Sequence, residues 1–434
     1  MKKGNPKALL PIAVFLVFYL GLGLIFEYAM DIYMGFYKIP IVVAFLIALL
    51  VACFQNPKLK FEDKLTLMGK GVGDKDIITM ILIFMTAGIF VGVVGRSGAD
   101  SVAYCLLSII PARFAVVVLF IVSSFVSLAM GTSVGTITLI TPIAISVASA
   151  SGFAMPLCIG AVISGAMFGD NLSFISDTTI AACNGQGCAM KDKFRENFKI
   201  ALPAAIASIA IIILSCGNAS GAMEIPEYSL VQIIPYLLVL AGGIIGINVF
   251  VVLLVGILSG SIITLATGAT AATDLLANMG AGASGMFETT MVAILVSALC
   301  ALIRADGGFD ALLGFIQRIF RGKRGGLLGT GLLVGAMDIA TANNTVAIVM
   351  ANPIAKEMSE TYGFSARKTA SILDIFSCVF QAIIPYGAQM LVAITTAQDR
   401  GVAVTAFEIM PHLTYPLMLL ICTLVFIFIP ERKK

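Results

Sequence analysis

The chain has 434 residues, 59% of them hydrophobic and only 12% charged, where soluble domains carry roughly 25% charged residues. Long apolar runs recur without period-two alternation, which excludes a soluble globular domain and a transmembrane barrel and leaves an all-α polytopic membrane protein. The net charge of +3 is small, and no basic cluster with interleaved aromatics supports nucleic-acid binding.

The first residues are basic and then apolar, but no small-residue cleavage site follows before Glu27, so this stretch reads as an uncleaved span. Spans are predicted over residues 8–26, 39–54, 77–95, 114–130, 132–150, 155–182, 198–214, 229–247, 248–266, 287–303, 327–340, 341–355, 367–397 and 412–429. Cys53, Cys158, Cys300, Cys378 and Cys422 lie inside these runs and behave as small hydrophobes. Cys183 and Cys188 have no second pair or histidine beside them, which argues against zinc, and His412 reads as interfacial. GKGVG at 69–73 lacks the lysine and hydroxyl that would follow in a phosphate loop.

Threading the spans alternately from a cytoplasmic N-terminus puts 23 of the 27 Lys and Arg residues on the cytoplasmic side, Lys191, Lys193, Arg195 and Lys199 among them. Lys38, Arg96, Arg113 and Arg400 fall outside. The bias satisfies the positive-inside rule and predicts both termini cytoplasmic, and the expected location is the plasma (inner) membrane.

Parity does not separate two crossings from one re-entrant hairpin, so ten to fourteen transmembrane segments are consistent with the pattern. The question concerns 114–150, broken by MGTSVGT (130–136), and 327–355, broken by MDIATANNT (337–345). Deep hairpin tips are the preferred reading, since helix ends near the midplane let transporters aim dipoles and carbonyls at ions.

The two breaks belong to an internal repeat. Pro142-Ile143-Ala144 before Gly152-Phe153 recurs as Pro353-Ile354-Ala355 before Gly363-Phe364, an offset of 211 that also maps Thr132 and Ser133 onto Asn343 and Asn344, and Asp170 onto Gln381. The loop after Arg96 threads outside and its counterpart after Arg304 inside, which predicts two inverted repeats with broken helices or re-entrant hairpins. The expected organisation is an N-terminal helical pair and cytoplasmic loop (1–76), transport repeat 1 (77–197), linking scaffold helices (198–286), transport repeat 2 (287–397) and a C-terminal helix (398–434). Gly242 with Gly246 and Gly256 with Gly260 suit close helix packing within one subunit.

Polar residues concentrate in GAMFGDNLSFISDTT (165–179), where two carboxylates interrupt bilayer-grade sequence. A charge at the bilayer centre costs at least about 2.5–3.5 kcal/mol, so such acids mark a functional site. The candidates for holding a cation are Asp170, Asp177, Ser173, Ser176, Thr132 and Ser133. A substrate or proton pathway would add Asn171, Thr178, Asp338, Asn343, Asn344, Thr345, Asp374, Gln381 and Gln389. All offer oxygens and none a thiolate or imidazole, which suits a hard cation. Unwinding is expected at Gly169–Ser173. Several carboxylates in a desolvated pocket must hold either protons or a metal cation, and that competition alone yields antiport. For Thr132 and Ser133 the alternative is a hydroxyl bonded back to its own helix, and for Asp338 and Asp374 a helix cap or an ion pair.

With GTSVGT at 131–136 upstream, the GAMFGDNLSFISDTT stretch resembles the NhaC-type Na+/H+ antiporters of the ion transporter superfamily, over about 77–397. Val134, Asn171 and Phe174 stand where the family pattern has tryptophan, histidine and proline. The resemblance implies Na+ and H+ as the exchanged ions, no cofactor, and roles for Thr132, Ser133, Asp170, Ser173, Ser176, Asp177 and Thr178. NNT at 343–345 is similar to the hairpin tips of sodium-coupled carboxylate transporters of the same superfamily, which implies an elevator-like motion and a homodimer. Two alternatives accompany Na+/H+ antiport. On the same fold, Na+ or H+ would drive a small organic anion or amino acid, hydrogen-bonded by Asn343, Asn344, Gln381 and Gln389. An intramembrane aspartyl hydrolase using Asp170 and Asp338 lacks a second catalytic motif, so the chain reads as a transporter in a lipid bilayer and not an enzyme.

Overall fold

A computed structural model describes residues 4–32, 35–109, 111–216, 227–245, 247–341, 343–385, 387–398 and 400–428. Gly246 and the terminal cations of the topology count, Lys2, Lys3, Arg432, Lys433 and Lys434, lie outside them. Every regular element among the described residues is helical. Among the described residues six helices are long and apolar enough to cross a bilayer: Pro6–Glu27, Ile77–Gly95, Met155–Gln186, Met190–Ser215, Val249–Ala266 and Ala272–Ala305. Two bent pairs raise the number to eight, Ala366–Ile383 with Ala388–Gln398 at 42° and Ala406–His412 with Thr414–Phe428 at 51°. Residues 272–285, outside the predicted spans, extend the helix expected at 287–303.

The chain forms two compact units, one of residues 1–82, 181–189 and 287–380, the other of 83–180, 190–286 and 381–434. In the first, Phe15 stacks on Phe45 at 4.2 Å, holding Leu10–Leu24 to Ile41–Phe54. The hairpin Gly322–Thr341 and Asn344–Tyr362 packs through glycine: a Cβ on Gly331 would meet the Phe376 ring at 2.6 Å.

In the second unit, Ala115–Met130 lies along Met155–Leu172 at two positions where only glycine fits. A Cβ on Gly165 would overlap the Phe120 carbonyl oxygen, and one on Gly169 the Ser124 carbonyl oxygen. Gly256 faces Val239 and Phe90, and Gly260 faces Val93 and Val94, so this small-residue spacing packs helices within the chain.

The repeat is carried by the helix ends. Ser133–Ser151 and Asn344–Tyr362 have 19 residues each, and Met155–Leu172 and Ala366–Ile383 have 18 each. Each pair is related by the offset of 211, as are the starts of Asp177–Gln186 and Ala388–Gln398. The cause is local. Thr132 and Asn343 have the same extended backbone (φ −153°, ψ 122° and φ −148°, ψ 116°) and cap Gly135 N and Val346 N through their side chains. Gly152 and Gly363 end the two helices in the left-handed region at φ 73° and 69°.

Candidate functional site

The helix beginning at Met155 stops at Leu172 and a second begins at Asp177. The break therefore covers residues 173–176 and not the expected Gly169–Ser173, because Gly169 remains helical and serves the contact with Ser124. The serines make the break. Ser173 Oγ donates to the Leu128 carbonyl at 2.7 Å and accepts from Ile175 N at 3.3 Å. Ser176 caps the second half-helix, its Oγ lying 2.6 Å from Thr178 Oγ1 and accepting from Thr179 N at 3.5 Å.

Asp170, 3% exposed, sits in the last turn of the first half-helix, and Asp177, partly buried, opens the second, its Oδ1 accepting from Thr178 N at 2.9 Å. Ser133 Oγ donates to Asp170 Oδ2 at 3.1 Å and accepts from Gln389 Nε2 at 3.1 Å. Ser133 and Gln389 are 4% and 1% exposed, so this is a buried chain from a carboxylate through a hydroxyl to an amide. Gln389 Oε1 is buried with no protein partner among the described residues. Thr132 takes the bland alternative, its Oγ1 accepting from Gly135 N at 3.2 Å. Gly131, left-handed at φ 72°, brings this hairpin tip against the break, where an added Cβ would lie 2.6 Å from the Ile175 carbonyl oxygen.

Asn171 is clamped from outside the predicted set. Its carbonyl accepts from Lys193 Nζ at 2.8 Å and Asn197 Nδ2 at 2.9 Å, and Tyr415 OH lies 3.3 Å from its Oδ1. Lys193, counted above with the cytoplasmic loop cations, is fully buried (0% exposed). The sequence concealed it because Lys191, Asp192 and Arg195 beside it read as a solvated loop. Gln381 is buried two residues before Ala366–Ile383 ends, against Gly387 at the second break.

Asp338 and Asp374 in the first unit are 0% and 1% exposed. Asn343 caps its own helix at 3.1 Å, as Thr132 does, and Asn344 Oδ1 accepts from Thr345 N at 3.1 Å. The same unit holds a cavity of about 440 Å³. Its lining includes Lys70, Asp74, Arg304, Asn352 and Lys356 over an apolar wall that contains Leu67 and Val349. At its rim Arg304 pairs with Glu357 at 3.1 Å, and burial lifts the Glu357 carboxyl above its usual range while Arg304 opposes that shift.

A multi-pass helical protein with helices broken around buried carboxylates is built as a secondary transporter, not as an enzyme. The chain belongs to the Na+/H+ antiporter family, whose family model matches residues 7–218 and 203–428. It is 25% identical over 359 residues to the Na+/H+ antiporter NhaC of Bacillus subtilis, covering 73% of this chain and 78% of that one. A malate-2H+/Na+-lactate antiporter of the same organism is 30% identical over 184 residues, 42% of this chain and 38% of that one. Among solved structures, the fold is similar to the YdaH transporter of Alcanivorax borkumensis (TM-score 0.66, 13% identity, 98% of both chains). It is also similar to MtrF of Neisseria gonorrhoeae (TM-score 0.64, 13% identity, 95% of this chain and 97% of that one).

Proposed function

We propose that the chain exchanges Na+ for H+ across the plasma membrane by alternating access, with the Asp170 carboxylate holding Na+ and a proton in turn. The observation that carries this reading is the buried chain Gln389–Ser133–Asp170. A desolvated carboxylate beside a hydroxyl and an orphaned amide oxygen offers a hard cation three oxygens. With Na+ bound, the Ser133 hydroxyl turns its lone pair to the ion, and when Na+ leaves, a proton on Asp170 carries the charge balance back. Asp177 supplies fixed negative charge, and Ser173 and Ser176 hold the break open. Cytoplasmic termini, inverted repeats and a homodimer belong to the same proposal.

Reconstituted into proteoliposomes, the wild type should move protons when Na+ or Li+ is added. Asp170→Asn should abolish that flux and Asp177→Asn reduce it. Proton movement that needs an organic solute as well as Na+ would overturn the reading.

That outcome would favour the second reading, an organic anion as cargo. Its support is the cavity lined by Lys70, Arg304 and Lys356, together with the likeness to the malate–lactate antiporter. Under it, Lys70→Gln with Lys356→Gln should abolish dicarboxylate-driven proton flux while wild type sustains it.

A further inference from the structure

The first unit carries an open hollow of about 990 Å³ that the exchange scheme does not use, at the end where Pro6–Glu27 begins and Ile41–Phe54 stops. Three segments line it, residues 5–13, 54–58 and 305–306. Hydrogen bonds brace them against one another. Asn5 N donates to the Gly307 carbonyl at 2.9 Å, Gln55 Nε2 to the Lys7 carbonyl at 2.7 Å, and Asn56 Nδ2 to Asp306 Oδ1 at 2.6 Å. Lys64 Nζ fixes the end of the second helix, donating to the Cys53 and Gln55 carbonyls at 2.7 Å each. These braces leave the Lys7 and Lys58 side chains, both exposed, with no ion-pair partner among the described residues. The rest of the wall is apolar and open: Leu10, Ala13 and Phe54 are exposed, Phe54 at 86%. Cations that serve topology need only face water. Here two of them line a braced hollow whose apolar wall belongs to the membrane helices themselves.

We propose that this hollow binds an anionic phospholipid of the leaflet where the two helices end, its phosphodiester held by Lys7 and Lys58 and an acyl chain laid along Leu10, Ala13 and Phe54. Lysines at helix ends extend their charge into the headgroup layer and are attracted to anionic lipid there. Among the described residues the lining holds two positive charges, Lys7 and Lys58, against one negative, Asp306, an excess that one phosphodiester neutralises. A phosphatidylglycerol headgroup brings that single charge together with hydroxyls for which the Asp306 carboxylate is an acceptor. Phosphatidylcholine, neutral overall and without donors, leaves the excess unmet. An occupant touching all three segments fastens the start of the first helix to the end of the second, so binding stabilises the folded chain. None of the exchange residues enters this assignment.

The test is thermal melting of the purified full chain in detergent micelles titrated with phosphatidylglycerol. Wild type should show a saturable rise in melting temperature, and Lys7→Gln with Lys58→Gln should need about thirtyfold more lipid for the same rise. Arg321→Gln with Arg324→Gln removes two exposed cations outside the hollow and should stay within about threefold of wild type. Phosphatidylcholine, and glycerol phosphate as the headgroup without its chains, should produce no saturable rise. Equal titrations for wild type and the Lys7 and Lys58 variant, an equal loss in the Arg321 and Arg324 variant, or a rise with phosphatidylcholine or glycerol phosphate matching that with phosphatidylglycerol would each overturn the proposal. The readout needs no transport, so loss of Na+-driven proton flux in wild type would refute the exchange scheme and leave this result standing.

Discussion

Ser133 connects Asp170 to Gln389, and Ser133→Ala removes both hydrogen bonds at once. All three side chains are buried. A hydrogen bond to a charged group contributes about 1.5–3 kcal/mol, and tenfold in affinity corresponds to about 1.4 kcal/mol. If the hydroxyl oxygen is a ligand to Na+, its deletion should raise the apparent KM for Na+ by about tenfold to a hundredfold. Ser133→Thr keeps the hydroxyl and should stay within about threefold. The neighbouring Thr132→Ala is the control, since Thr132 Oγ1 only caps its helix at Gly135 N. Losing that cap should cost about 1 kcal/mol of stability and leave the Na+ dependence nearly unchanged. Proton efflux from proteoliposomes, titrated with Na+ for the three variants, measures all of this. An unchanged KM in Ser133→Ala, or a larger change in Thr132→Ala, would refute the assignment of Ser133 as a ligand.

Gly131→Ala should destabilise the hairpin tip by more than the roughly 1–2 kcal/mol of a left-handed alanine, because the new Cβ would lie 2.6 Å from the Ile175 carbonyl oxygen. Lower melting temperature together with lost transport is the expected result, and wild-type behaviour would show that the tip does not press on the break. Asn352→Ala should lower stability by about 1–3 kcal/mol per group left unsatisfied. Its side chain donates to the Ala181 carbonyl at 2.8 Å and accepts from Gln186 Nε2 at 2.9 Å, fastening the end of the half-helix that Asp177 begins. Thermal melting in detergent checks it, and an unchanged midpoint would count against that fastening role.

Much of the fold was legible because its punctuation is local. Thr132 and Asn343 as caps and Gly152 and Gly363 as left-handed stops set helix ends that repeat at an offset of 211, with Pro142 and Pro353 inside the two helices at the same offset. The break was legible as to its existence and displaced in position, since Gly169 answers a packing demand from Ser124 that no local pattern reveals. Of the candidate site, the polar residues were legible one at a time and their partnerships were not. Gln389 meets Ser133 across 256 residues of sequence, and Lys193 reaches Asn171 only because Met190–Ser215 packs beside the break. A charge run in sequence carries no sign of which of its members turns inward.

The two acids of the break are not equivalent, and the backbone makes the difference. Asp177 is the first residue of Asp177–Gln186, where unpaired N–H groups carry partial positive charge, and Thr178 N donates to it at 2.9 Å. Its charge is offset before any ion arrives. Asp170 lies in the last turn of Met155–Leu172, where the carbonyls are negative and add to its own charge. Lys193 answers those carbonyls at Asn171. The Asp170 carboxylate accepts from Ser133 Oγ, and one side chain further Gln389 Oε1 is buried with no protein partner among the described residues. An exchange site needs a charge that a mobile cation and a proton can each neutralise, and a charge already met by a helix N-terminus gives neither an advantage. Under the proposed exchange, breaking the helix between residues 172 and 177 separates a carboxylate set at a helix N-terminus from the one proposed to bind and release the cation.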